Sequence, residues 1–481
     1  MTSVQAAFGG GVSYAVPDHD INYYAKSISG SQIVTAATTE IYNADGADDL
    51  GADLMDVETG YLAIWWFSCA VNSTGDTTSS VFQGALREGA TASTVSGGGS
   101  AVANDQHRTV GDDIAWYHSQ LATARPAAGR ESEFGIHFVN QTAGAPPARM
   151  GAATLVLLPV KGPGLFSAGT PTIGTSGVDW VQNTDIGTVN YNNQVGGDAT
   201  QTASTTFAIG RTGQYLVFLR SAPFAGASIA DRALRWYHKI DGVDVANVYT
   251  GTATVGAVRT GRGFQVQYRS SVGYTNIRGY MAQARIMNLT AGNHTWAVDF
   301  NRHESADPVN SEQLQNNLLA AINTDRFRQF EYTEVSTVQT GDTVIFTQRT
   351  AFNTSITVEG DAKVLIMLST SVMNADVSGI FFKITRNGVA ISGFNSEAGY
   401  PALPIACGPY AALNGQTSVA DSDNNVVPTV MWWVDDDPGA GTHVYGVQSG
   451  ATTGSPWNCN DNGASGFIGS LAVMELALST S

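Results

Sequence analysis

Hydrophobic positions along the chain come in short, strand-sized runs separated by clusters of Gly, Asn, Asp, Ser and Thr. The stretch ALRWYHKIDGVDVANVYTG, from Ala233, shows the pattern: an imperfectly alternating run, then Asp-Gly, then a second run. A period of two places successive side chains on opposite faces of a strand. Asp-Gly between two such runs predicts a hairpin, because both central positions of a type I′ turn need positive φ. One segment, SEQLQNNLLAAI from Ser311, admits a short helix; a loop running into a strand is the expectation, because the matching segments elsewhere end on strands. The longest apolar stretch, YLAIWWFSCAV at Tyr61–Val71, has 11 residues, against the roughly 20 that a membrane helix needs. The expected class is all-β, without membrane insertion.

The pattern repeats. A Gly opens an apolar strand in TGYLAIWWF (Gly60), TGQYLVFL (Gly213) and EGDAKVLIML (Gly360). A hairpin signal follows in LREGA (Gly89), KIDGV (Gly242) and TRNGV (Gly388), at intervals of 29, 29 and 28 residues. A third anchor is a Gly-bearing turn feeding a strand: AGNHTWAV at Gly292, AGTHVYGV at Gly441, and a degraded AGRESEFGI from Ala128. Each copy then ends on an apolar run: ATLVLLPV, NLLAAI or GSLAVMELAL. Copies recur about every 155 residues, so the expected organisation is an N-terminal arm at 1–12 and three domains at 13–165, 166–325 and 326–481.

Composition agrees: 53 glycines and only 14% charged residues, below the usual quarter, suit short strands joined by turns. The formal charge is −17, and the 24 Lys and Arg form no run or stripe. No nucleic-acid partner is expected, because a phosphate-binding surface needs clustered cations. An acidic surface keeps crowded copies soluble and mutually repelling. The opening MTSVQAAFGGGVSYAV has no basic region and no apolar run, so neither a signal peptide nor a lipid anchor is expected. Cys69, Cys407 and Cys459 form no CxxC; buried free thiols of a chain made in a cytoplasm are the preferred reading, a Cys407–Cys459 pair the other.

Taken together, the Gly-opened aromatic strand, the Arg386-Asn387-Gly388 hairpin, PGAGTHVYGVQ and the final apolar strand resemble jelly-roll domains of the tumour necrosis factor and complement globular-head type. They look most like the versions found in tandem on phage fibres, head decorations and tail-associated proteins. The resemblance implies two packed antiparallel sheets per domain, so that the fold class is three tandem antiparallel β-sandwich (jelly-roll) domains. It also implies trimerisation, as a homotrimer in tiers or a pseudo-trimer within one chain, and a role in display rather than catalysis.

Candidate chemistry remains to be weighed. His294 and His443 occupy equivalent positions, but repeat one offers Glu131 or Glu133 there instead, and one His per domain lacks a second metal ligand. A structural or interface role is expected. The run DDDP at Asp435–Pro438 and the cluster at Asn43–Asp56 carry carboxylates of the kind calcium takes, without EF-hand spacing; DSDNNV has Val426 where Gly is needed. Solvated acidic loops and no cofactor are expected, with calcium left open. Trp432, Trp433 and Trp457, beside Asp435 and Asp437, are candidates to face a receptor or host surface glycan, although aromatics in strands are ordinarily core. No P-loop, GxSxG, HExxH or CxxC occurs, so no enzyme is expected. The reading is a virion structural protein on the particle surface, a head fibre, capsid decoration or receptor-binding subunit, with other virion proteins as partners. The alternative is a carbohydrate-binding or adhesive bacterial surface protein, and the third a carbohydrate-active enzyme.

Overall fold

The structure is a computed structural model and describes residues 23–28, 32–34, 39–41, 52–55, 60–72, 80–88, 93–96, 101–105, 113–124, 132–140, 148–160, 181–190, 201–225, 232–245, 264–268, 281–303, 312–341, 346–360, 362–374, 380–392, 425–451, 457–459 and 468–476. It is all-β, and the same strand order occurs three times. In the first sheet of each repeat the initial strand pairs with the last, the last with the Gly-opened strand, and that with the strand preceding the Ala-Gly turn. For repeat one these are Tyr24–Ile28, Ala148–Val160, Gly60–Asn72 and Asp113–Ala124. Repeat two uses Val181–Asn190, Glu312–Asn323, Gly213–Ala225 and Met281–Leu289. Repeat three uses Gln329–Val335, Gly469–Leu476, Lys363–Asn374 and Asn425–Asp435.

The second sheet is centred each time on the strand leaving the turn, Ser132–Asn140, Gly292–His303 or Gly441–Ala451. Its partner is the strand entering the hairpin, Ser80–Glu88, Arg232–Ile240 or Ile380–Arg386, always antiparallel. A single backbone pairing, Gln265 opposite Val426, joins the second sheet of repeat two to the first sheet of repeat three. From Glu312 the segment that begins at Ser311 is one continuous strand, Glu312–Asn323, paired on both sides. Neither the helix nor the leading loop forms, because a central strand must satisfy its backbone along its whole length.

The two kinds of sheet explain two kinds of sequence. Second-sheet strands keep one wet face: Thr354–Val358 alternates buried and exposed at every residue, as half-buried antiparallel strands do. The Gly-opened strands at the centre of the first sheets are apolar on both faces because both are covered. In repeat two, Tyr215, Val217 and Leu219 enter a core between its own sheets. Leu216 and Phe218 point the other way, into a cluster shared with Leu155 and Val156 of repeat one and Val430, Trp432 and Leu471 of repeat three. The unbroken run YLVFL is the sequence trace of that double burial.

The hairpins form as their sequence predicts. Asp241 and Gly242 have φ of 51° and 79°, and Asn387 and Gly388 have 52° and 80°; Gly89 lies outside the described residues. At Gly388 an added Cβ would meet nothing within 4 Å, so the backbone angle alone disfavours a side chain there. Gly388→Val is expected to cost about 1–2 kcal/mol or more, since a β-branched residue at positive φ is strained. Gly388→Asn is expected to cost clearly less, Asn tolerating that region. Urea midpoints of the two variants decide it, and equal midpoints would refute the turn assignment. Gly292 and Gly441 share a second unusual angle, φ of 136° and 134°, where the chain swings into the strand leaving the turn.

Candidate functional site

The feature the fold builds most completely is the seam where the first sheets meet. A strand at the edge of a sheet leaves N–H and C=O groups open, and here hydroxyls of the neighbouring repeat close them. On the edge strand Asn425–Asp435, the Val434 N–H donates to Ser27 Oγ at 2.7 Å, and the Trp432 carbonyl accepts from Thr154 Oγ1 at 2.8 Å. Ser27 and Thr154 stand opposite each other on repeat one, their oxygens 2.7 Å apart. A hydroxyl has one proton, and Thr154 gives its own to Trp432, so Ser27 is the donor between them. On the edge strand of repeat two, the Ala284 N–H donates to Ser369 Oγ of repeat three at 3.0 Å. The edge of two thus lies against three, and the edge of three against one.

Around these bonds the seam is apolar, with Leu155, Phe218, Ala284, Leu368 and Trp432 buried. Phe218 of repeat two and Trp432 of repeat three have ring centroids 6.4 Å apart. At one end, Lys363 Nζ donates to the Ala25 carbonyl at 2.7 Å and pairs with Asp436 at 2.7 Å, while Tyr23 donates to the Leu476 carbonyl at 3.3 Å. Burial raises the Tyr23 phenol well above its ordinary value, helped by the negative charges of Asp436 and Glu475, so it stays a donor. These seam residues carry no motif; besides the run YLVFL, the hydroxyl of Thr154 in the otherwise apolar stretch ATLVLL is their trace in the sequence.

This geometry corrects the candidate receptor face. Trp432 is 0% exposed and Trp433 5%, because Asn425–Asp435 is a long strand paired residue for residue with Lys363–Asn374 and covered on both faces, not a tip. Asp435 is also buried: Oδ2 accepts from Arg386 and from the Tyr445 hydroxyl, both at 2.8 Å. Burial, then the Asp435 charge, raises the Tyr445 phenol far above its ordinary value. The run DDDP therefore splits: Asp435 turns inward, Asp436 pairs with Lys363, and Asp437 is exposed, its carbonyl accepting from Arg386 at 2.9 Å. Among the described residues no three His, Cys, Asp or Glu gather as a metal site would require. Trp457 begins the short strand Trp457–Cys459, whose side chains, like Cys407, Tyr400, Tyr410 and most of Asn43–Asp56, lie outside the described residues.

Inside sandwich two lies a polar chain the sequence does not announce. Trp296 Nε1 donates to His238 Nδ1 at 3.2 Å, leaving the proton on Nε2, 3.1 Å from Ser221 Oγ. Ser221 passes its own proton to Asn317 Oδ1 at 2.7 Å, and Asn317 donates to the Leu314 carbonyl at 3.0 Å. Burial pushes His238 down to about 3. The Ser–His pair is thus a filled core network: the serine proton points at an amide, and both side chains are shut off from solvent. The turn histidines behave differently. His294 and His443 each place Nε2 on the carbonyl four residues back, Thr290 at 2.8 Å and Gly439 at 3.0 Å, and each turns Nδ1 toward the hairpin residue, Asp241 or Asn387.

The fold and seam define an all-β protein of paired antiparallel sheets, whose described residues hold no helix long and apolar enough to cross a membrane. No family model matches the chain, and no curated protein matches it. Among solved structures it is similar to Broad Bean Stain Virus, at 9% identity over 66% of this chain and 92% of the other, with a TM-score of 0.17. It is also similar to PNGF-II, at 10% identity over 87% and 98%, with a TM-score of 0.23. Scores this low support neither a shared fold nor a shared role.

Proposed function

We propose that the chain is a virion structural protein, a head fibre, capsid decoration or receptor-binding subunit, acting by assembly and surface display rather than by catalysis. Its three repeats are read as jelly-roll domains with boundaries near 165 and 325, arranged as a pseudo-trimer inside one chain. The observation that carries this reading is the seam: edge strands of one repeat capped by hydroxyls of the next, around one shared apolar cluster. Head-to-tail contacts between copies of a domain form a ring when they close; the edges of repeats two and three make two such contacts, and tethering the copies in one chain removes the concentration dependence of assembly. The reading needs no cofactor, and calcium is not part of it.

Two measurements test it. Light scattering after size exclusion is expected to give the mass of one chain; a stable species of three chains would replace the pseudo-trimer with a tiered fibre. The chain is expected to co-sediment with purified particles of its source. Failure to do so, together with glycan binding by the isolated chain, would establish the adhesive reading instead.

A further inference from the structure

The same turn is fastened in two chemically different ways. In repeat two, His294 Nδ1 lies 2.6 Å from Asp241 Oδ2 and Nε2 lies 2.8 Å from the Thr290 carbonyl. Both partners only accept, and a neutral imidazole has one N–H to offer, so filling both contacts requires two ring protons. Asp241 is itself anchored: Oδ1 accepts the Thr295 N–H at 2.8 Å, and its own N–H reaches the Thr295 carbonyl at 2.8 Å. In repeat three, His443 Nε2 again meets a carbonyl, but Nδ1 faces the amide nitrogen of Asn387 at 3.5 Å. The Asn387 orientation is set by Oδ1, which accepts the Val444 N–H at 2.9 Å. That arrangement is satisfied by one proton, on Nε2.

We propose that the turn of repeat two is a proton-operated clasp: doubly protonated His294 bridges Asp241 on the hairpin to the Thr290 carbonyl, and loss of one ring proton releases one bridge, whereas the clasp of repeat three holds without it. Asp241 is the charged group facing the ring among the described residues; Phe207, from the neighbouring strand, stacks on it with centroids 5.5 Å apart. Burial opposes the charged ring, but the bonds to Asp241 and Thr290 outweigh it and raise His294 above its ordinary 6.5. Burial likewise opposes the Asp241 charge, and the bonds from His294 and Thr295 outweigh it, lowering Asp241 below its ordinary 3.8. The sign follows for each partner. The histidine contribution is complete below 6.5 and lost as pH rises through its raised value; the aspartate contribution is present above 3.8 and lost as pH falls through its lowered one. The clasp therefore holds in mild acid and opens toward alkaline pH. It fastens the Asp241-Gly242 hairpin, whose outgoing strand begins at Val243, 61% exposed.

The test is an NMR titration of the His294 ring in the full chain, with Asp241→Asn beside it. Asn suits this turn, as Asn387 occupies the same φ in repeat three. The wild-type midpoint is expected above 6.5, and Asp241→Asn is expected to move it down. Exchange of the Thr295 amide, corrected for its intrinsic pH dependence, is expected to rise about tenfold as the wild type passes through the midpoint, the equivalent of one hydrogen bond. A His294 midpoint at or below 6.5, or one that Asp241→Asn leaves in place, overturns the clasp.

Discussion

Trp432→Ala is expected to destabilise the chain by about 3–5 kcal/mol, the range for emptying a fully buried aromatic site. The loss is expected to fall on the seam and not on one sandwich. Trp432 is 0% exposed and packs toward Phe218 of repeat two, while its carbonyl takes the Thr154 proton of repeat one. Removing the indole therefore withdraws apolar surface from a cluster that all three repeats share. Cooperative unfolding in urea is expected to split into more than one transition, and proteolysis is expected to cut between repeats before it degrades them. Val389→Ala, at the residue that follows the Asn387-Gly388 turn and is 68% exposed, is the control and should shift the midpoint by no more than about 0.5 kcal/mol. A Trp432→Ala chain that unfolds in one transition within about 1 kcal/mol of the wild type would show that the seam does not hold the repeats together.

The same tryptophan shows what the sequence can and cannot disclose. Turn chemistry is local, so Asp241-Gly242, Asn387-Gly388 and the Gly292 and Gly441 turns are legible from a few residues, and the structure places each at positive φ. The repeated strand order is legible in outline, because the spacing between the Gly-opened strand and the hairpin is nearly constant. Whether an apolar strand is covered on one face or two depends on what lies beyond the sheet. The run VVPTVMWWVD offers aromatic platforms for a receptor although aromatics in strands are ordinarily core; it is core, with Trp432 turned to the seam and Asp435 to the sandwich interior. Histidine chemistry is hidden for a related reason. His294 and His443 sit in matching motifs, but their partners Asp241 and Asn387 lie more than fifty residues upstream, and one carboxylate-to-amide difference sets how many ring protons each site asks for.

Asp435→Ala is expected to cost on the order of 3 kcal/mol, because breaking a buried ion pair leaves its partner uncompensated. Arg386 is 28% exposed at its side chain and Asp435 9%, so the pair is shielded enough for the charge to matter. Tyr445, fully buried, would also lose the acceptor for its hydroxyl. Repeat two occupies the matching positions differently: Ile240 stands where Arg386 does, and Trp296 where Tyr445 does, both buried among apolar neighbours. The fold itself therefore does not require the charges. Tyr445→Phe is expected to cost only about 1 kcal/mol, the net worth of a hydrogen bond. The double variant Arg386→Ile with Asp435→Leu is expected to lose less than the sum of its single changes, since neither charge is then stranded. A double-mutant cycle by urea denaturation reads the coupling directly. Strict additivity would mean that Arg386 and Asp435 act independently, and that this corner of the third sandwich is held by its apolar contacts alone.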